Sequence, residues 1–237
     1  MDALSGKKVL VVGGSSGMGE AAARLAATAG ARVTIAARDH DRLVAAVKRI
    51  GQQVEPAVLD AMDDHAVAKF FADGTVWDHV VSCVGAGGRG NVKELEMAPA
   101  LAAMDGKFWA GFRIARAARI APDGSLTFVS GGLSQRPRAG AALIAAINAA
   151  LENLSRGLAL ELAPIRVNTV SPGPVDTPMW DRYGAERKRE FLDGAAAHVP
   201  LKRVAGPEEI AEIILFFMTN RYVTGVVVPM DGGSQLA

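Results

Sequence analysis

The stretch "KKVLVVGGSSGMGEAAARLAATAGARVTIAARD", which begins at Lys7, limits the fold more than any other part of the chain. Its apolar run Val9–Val12 reads as a strand buried on both faces. The glycine-rich turn Gly13-Gly14-Ser15-Ser16-Gly17-Met18-Gly19 follows, and an alanine-rich helix begins inside that turn. A second apolar run, Arg32–Ala36, then pairs in parallel with the first, because a helix brings the chain back to the same end of the sheet. Glycine at these places permits positive φ and a close approach of backbone to a ligand, and a helix N-terminus offers free N–H groups to a pyrophosphate. Gly13, Ser15, Ser16, Gly17, Met18 and Gly19 are therefore candidate cofactor-binding residues.

The second strand ends Ala36-Ala37-Arg38-Asp39. An acidic residue at this tip would accept the hydrogen bond of a free ribose 2′-hydroxyl. Small residues fill the tip instead, and Arg38 follows as a donor suited to a 2′-phosphate, with the Ser15 hydroxyl available to the same group. The expected cofactor is NADP(H), with NAD(H) the second choice.

The same alternation continues to the end of the chain. Strands are expected at Lys8–Val12, Arg32–Ala36, Val54–Leu59, His79–Val84, Ser125–Ser130, Ile165–Val170 and Val226–Pro229. Helices are expected near 17–30, 40–50, 63–72, 97–121, 139–163 and 207–219, the fifth of them closed by Pro164. Right-handed crossovers then give an α/β fold: a single-domain, doubly wound (Rossmann-type) parallel seven-stranded sheet with helices on both faces, spanning residues 1–237. Residues 178–206 are the least regular and most charged, and are expected to form a surface loop or a mobile cover over a substrate. A formal charge of +1 argues against nucleic-acid and anionic-membrane partners. Cys83 is the single cysteine, which excludes an intrachain disulfide and a cysteine zinc site. The polar start Met1–Lys8 has no secretory pattern and the longest apolar run, Ile213–Met218, is too short to cross a membrane, so a cytoplasmic location is expected.

Taken together, these segments resemble the short-chain dehydrogenase/reductase family nearly from end to end. "VVGGSSGMGEA" is similar to its Thr-Gly-x-x-x-Gly-x-Gly turn, with Val12 in the place of Thr. "LDAMD" is similar to its Asp-Val segment, which implies Asp60 and Ala61 beside the adenine. "VVSCVGAGG" stands where Asn-Asn-Ala-Gly is usual and keeps Gly85, with Val84 before it. "LALELAPIRVNTVSPGPVDTPM" is a close match and implies Pro172, Gly173, Val175 and Thr177 along the nicotinamide half. The resemblance also implies a homodimer or homotetramer, packed through helices such as that of residues 139–163.

The departures lie in one place. Members of this family transfer hydride with a Ser, a Tyr and a Lys, commonly aided by an Asn. Counting back from "AALENL", the resemblance assigns the Lys position to Asn148 and the Tyr position to Ile144; the Ser position falls on Gly131, after Ser130, and the Asn position on Lys107. Ile144 has no proton to give, and general acid–base help is worth about 10²–10⁴-fold. Lys107, Ser130 and Asn148 are the catalytic candidates that remain, with Asn148 also on the cofactor side and Ser134 near a substrate oxygen. Lys107 in place of Asn and Asn148 in place of Lys suggest an exchange, with the ammonium reaching toward the ribose beside Asn148. Cys83 is expected to be a buried thiol without a redox role. His40, His65, His79 and His198 show no metal-ligand spacing, so no metal site is expected. Two readings follow: an NADP(H)-dependent oxidoreductase of an unassigned small-molecule substrate, acting on a carbonyl, an alcohol or an activated C=C with a non-standard proton source, or a non-catalytic dinucleotide-binding protein, a sensor or assembly partner, on the same fold.

Overall fold

A computed structural model describes residues 3–51, 54–85 and 87–237; Met1 and Asp2 of the polar start lie outside the described residues. Seven strands form one sheet in the order β3-β2-β1-β4-β5-β6-β7, with every neighbouring pair parallel. They are β1 (Lys8–Val12), β2 (Arg32–Ala37), β3 (Val54–Val58), β4 (Val76–Ser82), β5 (Arg119–Val129), β6 (Arg166–Pro172) and β7 (Val227–Met230). The helices are α1 (Gly17–Thr28), α2 (His40–Ile50), α3 (Asp64–Phe70), α4 (Met97–Met104), α5 (Ala110–Ala117), α6 (Ala142–Glu161), α7 (Ala185–His198) and α8 (Pro207–Thr219).

The period-2 alternation of a strand sorts β1 onto two cores. Val9 and Val11 pack with α1, α2 and α8 on one face. Leu10 and Val12 pack with α3, α5 and α6 on the other. All four are essentially sealed from solvent, so each contributes about 1.5–3 kcal/mol of burial. The sheet order reverses between β1 and β4, and the crevice beyond the strand ends at such a switch point is where ligands bind in open α/β sheets.

Four expectations need correction. The helical stretch expected at 97–121 is α4, a π-helical turn over Asp105–Trp109, and α5, and it stops at Ala117. Strand β5 starts earlier than expected, at Arg119, because Arg119 and Ile120 pair with Val76 and Trp77 before a register shift. Gly124 passes so close to the Asp78 carbonyl that a Cβ there would lie 2.2 Å from its oxygen. Helix α6 ends at Glu161, three residues before Pro164. The segment 178–206 is ordered: a 3₁₀ turn over Pro178–Tyr183 leads into α7. Its neck is closed by a bridge between Val175 and Ala205, and its charge is that of a solvated helix with no buried residue.

Candidate functional site

Two sets of groups meet at the switch point. The first is backbone. Gly13 N–H donates to the Ala36 carbonyl and Cys83 N–H to that of Val12, each at 2.8 Å, so the tips of β1, β2 and β4 converge on the glycine turn. Gly13 has φ +86° and a Cβ there would lie 2.6 Å from the Cys83 oxygen. A Cβ at Gly19 would lie 2.2 Å from the Gly13 oxygen, and one at Gly14 would lie 2.7 Å from Ile35. The turn is thus packed so tightly that only hydrogen fits at three places. Ser16 is the N-cap of α1 but its side chain caps no N–H, which leaves the first-turn amides of Gly17, Met18 and Gly19 aimed into the crevice without a side-chain partner. This cradle fits the pyrophosphate of a dinucleotide. Thr177, buried, faces Gly17 across the crevice, where a Cβ on the glycine would lie 3.4 Å from it.

Around this cradle the other expected cofactor residues take up their places. Ser15 is buried and Arg38 is exposed just past β2. Sequence reasoning missed Arg42: its guanidinium, on the first turn of α2, donates to the Ser16 hydroxyl at 3.1 Å. Glu20 holds Arg49 (2.8 Å) and Arg24 (3.1 Å), so those two cations are already paired, whereas Arg42 has no carboxylate partner among the described residues. Asp60 accepts the Met62 N–H and precedes the buried Ala61. Val84 and Gly85 follow β4. Pro172 ends β6, and Gly173 donates its N–H to Met230 at 3.0 Å, so close to β7 that a Cβ would lie 2.8 Å from the Asp231 Cα. Val175 is buried and accepts the Trp180 indole N–H at 2.9 Å; Trp180 also stacks on Phe191 at 4.0 Å, which seats the 3₁₀ turn and α7. Lys188 bridges Asp176 and Asp181, at 2.8 and 2.9 Å.

The second set is side-chain charge. The π turn inserts an extra residue into the helix, and the changed register turns Lys107 inward, where it is buried. Its ammonium donates to the Ser130 carbonyl at 2.7 Å. Burial pulls that ammonium down to about 8, with the Glu152 charge acting against the drop. No hydrogen bond joins Lys107 to Asn148 among the described residues: the ammonium bonds to the Ser130 carbonyl instead, with the Glu152 charge acting on it from beyond ion-pair contact. Asn148 is buried, its Oδ1 lacks a partner among the described residues, and its amide nitrogen lies 2.9 Å from where a Cβ on Gly131 would be. The carboxamide therefore takes up space that a side chain at 131 would need. The Ser130 hydroxyl is buried and donates to Glu152 at 2.6 Å. Ser134 does the same at 2.6 Å. Ile144 is buried among Ala103, Ala141 and Ile147, with Phe108, Leu133 and Leu143 against them.

Glu152 was missed by the sequence reading. Only its spacing gave a signal, since 144, 148 and 152 fall on one helix face, and an acid on an otherwise buried face needs an explanation. Cys83 follows β4; burial pushes its thiol up to about 12 against the pull of Lys107, so it stays protonated. His79 is buried on Ser125 (2.9 Å), and burial lowers it to about 4. His198 bonds to its own helix at Gly194, and His40 and His65 are exposed. Among the described residues no group of three His, Cys, Asp or Glu is placed to hold a metal. Nor is any helix among them long and apolar enough to cross a membrane.

The sheet order and the glycine turn at its switch point define a doubly wound α/β protein of the Rossmann type. A family model described as enoyl-(acyl carrier protein) reductase matches residues 12–235. The short-chain dehydrogenase/reductase ATR9 of Stachybotrys chlorohalonatus is 33% identical, with both chains covered completely. The MalC reductase/Diels-Alderase of Malbranchea aurantiaca superposes with a TM-score of 0.91 at 28% identity, covering 100% of this chain and 99% of that one. A small-chain dehydrogenase solved in complex with NADPH superposes with a TM-score of 0.84 at 30% identity, covering 98% and 100%. The chain belongs to the short-chain dehydrogenase/reductase family of oxidoreductases, as its motifs implied.

Proposed function

We propose that the protein is an NADP(H)-dependent oxidoreductase acting on a small molecule whose reduction draws no proton from a tyrosine. The observation that carries this reading is the glycine cradle: three positions with room for hydrogen alone, opening on uncapped amides at the N-terminus of α1. The similar dehydrogenase bound to NADPH supports the choice of dinucleotide. Gly13 to Gly19 would hold the pyrophosphate, and Ser15, Arg38 and Arg42 the 2′-phosphate. Asp60, Ala61, Val84 and Gly85 would border the adenosine half, and Asn148, Pro172, Gly173, Val175 and Thr177 the nicotinamide half. When bound, the dinucleotide supplies a hydride.

At the reacting end the chain supplies an apolar wall. Ile144 and its neighbours exclude water and hold no transferable proton, and the Asn148 carboxamide, unbonded among the described residues, has N–H groups to offer a ligand but no proton to give up. A simple ketone needs an acid at its oxygen and would lose about 10²–10⁴-fold in rate. The acceptor that suits this wall is already polarised, such as a C=C conjugated with a carbonyl, whose product takes its proton from water. Most of the relatives carry the names of reductases, dehydrogenases or oxidoreductases, which favours the catalytic reading; one, 32% identical, is named as a cyclic-di-GMP-binding biofilm dispersal mediator of Escherichia coli, and it is the relative that speaks for the non-catalytic alternative. Exposed Met97, Leu101 and Leu160 on α4 and α6 support a homodimer or homotetramer, which light scattering would measure. A cytoplasmic setting, with nicotinamide dinucleotides at hand, belongs to the same reading.

Calorimetry tests the cofactor assignment. NADPH is expected to bind more tightly than NADH. Arg38→Ala and Arg42→Ala should each weaken NADPH by about 1.5–3 kcal/mol, the range for a hydrogen bond to a charged group, and leave NADH nearly unchanged. Equal losses for both ligands would remove the two arginines from the 2′-phosphate site. Failure of the wild type to bind either dinucleotide would overturn the reading.

A further inference from the structure

Glu152 is 1% exposed, yet it accepts four hydrogen bonds from three separate segments. Its Oε1 takes the hydroxyls of Ser130 at the end of β5 (2.6 Å), Ser134 in the following 3₁₀ turn (2.6 Å) and Ser171 in β6 (2.9 Å). Its Oε2 takes the Gln135 amide at 3.3 Å. A buried carboxylate that gathers this many donors calls for a cation nearby. Lys107 supplies it, from the π turn, while bonding to the carbonyl of the same Ser130. The remaining titratable group that faces Lys107 is the Cys83 thiol. The loop clamped in this way includes Gly131, against which the otherwise unbonded Asn148 carboxamide rests.

We infer that Glu152, with Lys107 as its counter-charge, is a positioning residue: it ties the end of β5, the turn after it and the end of β6 to α6, and so orders the wall beside the nicotinamide half of the cofactor site. The inference rests on the cofactor reading above. Gln at 152 keeps the shape and can leave its oxygen on the three hydroxyls, but it sets an NH₂ against the Gln135 amide that Oε2 accepted, and it leaves the ammonium of Lys107 without its counter-charge. The turn then loosens, Gly131 moves with it, and the Asn148 carboxamide loses the surface it leans on. The glycine cradle shares none of these bonds.

The test compares two ligands on the full chain by calorimetry. NADP⁺ spans both halves of the site, whereas 2′,5′-ADP occupies the adenosine half alone. Glu152→Gln is expected to weaken NADP⁺ by about tenfold or more, as for lost hydrogen bonds to a charged group, and to leave 2′,5′-ADP within about twofold. If the Gln variant fails to fold, Glu152→Asp keeps the charge, shortens its reach and is expected to show the same selective loss. Parallel losses for both ligands, or no loss for either, overturn the positioning role. A wild type that binds 2′,5′-ADP and NADP⁺ equally overturns it too, because no nicotinamide wall is then in use. A wild type that binds neither overturns the cofactor reading itself, and this inference with it.

Discussion

At the glycine-turn end of the crevice the chain is built with backbone, and at the other end with buried side-chain charge. Around Gly13–Gly19 the determinants are absent side chains and free amides, fixed by strand register. Around Glu152 they are a carboxylate, three hydroxyls and an ammonium drawn from α6, β5, β6 and the π turn. A backbone cradle tolerates almost no substitution at its glycines but is indifferent to the chemistry beside it. A charge network can be rebuilt residue by residue, provided each buried group keeps a partner. The two ends can therefore vary separately in one chain: the turn resembles the family's motif, whereas Gly131, Ile144, Asn148 and Lys107 stand where the resemblance implies Ser, Tyr, Lys and Asn.

The largest test of this contrast returns the family's residues to the changed end. Ile144→Tyr, Asn148→Lys, Gly131→Ser and Lys107→Asn together should raise the reduction of simple ketones by about 10²–10⁴-fold, followed as NADPH consumption. Gly131→Ser alone should gain nothing, because its Cβ would lie 2.9 Å from the Asn148 amide nitrogen. Strong ketone reduction by the unaltered protein would show that another group gives the proton. A smaller effect is expected from the backbone end. Gly19→Ala forces a Cβ to 2.2 Å from the Gly13 carbonyl oxygen, and overpacking of this kind costs about 1–3 kcal/mol in urea unfolding. The same variant should abolish binding of 2′,5′-ADP, which no change at Glu152 should do.

The smallest effect is a pH dependence confined to the charged end. Lys107 titrates near 8 in the folded protein, below its ordinary 10.5. Above pH 8 the unfolded chain therefore holds more protons at this site, and stability must rise with pH there. Cys83 works the other way: its thiol is raised from 9.0 to about 12, so above pH 9 the folded state holds the extra proton and stability falls. Between pH 8 and 9 the gain from Lys107 should reach about 1 kcal/mol, and it should vanish in Lys107→Met. Urea midpoints that do not move in this interval would place the ammonium in solvent.

The contrast also accounts for what the sequence revealed. All seven strands were legible, three of them at their exact start and three more within three residues of it, because continuous apolar runs between turn residues are a local signal. The glycine turn was legible for the same reason: its φ values and clashes are settled within a few neighbours. Arg42 was not, because its reach to Ser16 depends on how α2 lies against the turn. Helix α7 was obscured by its charge, since it buries nothing and its docking depends on Trp180, in the turn before it. Glu152 stayed hidden because its partners come from Ser130, Ser134, Gln135 and Ser171, none of them nearer than 17 positions along the chain. The exchange of Lys107 with Asn148 was read from family positions alone; the π turn changed the side chain's direction, which no local pattern announced.

In the proposed reading a dinucleotide lies between the glycine cradle and a wall at which neither Ile144 nor Asn148 gives up a proton. A crystal structure with NADP⁺ bound tests it most directly. The expected result is the pyrophosphate on the amides of Gly17, Met18 and Gly19, the 2′-phosphate on Arg38 and Arg42, and the nicotinamide facing the apolar wall of Ile144, with Lys107 still on the Ser130 carbonyl. A nicotinamide displaced from the crevice, or a Lys107 swung out onto the ribose, would contradict it.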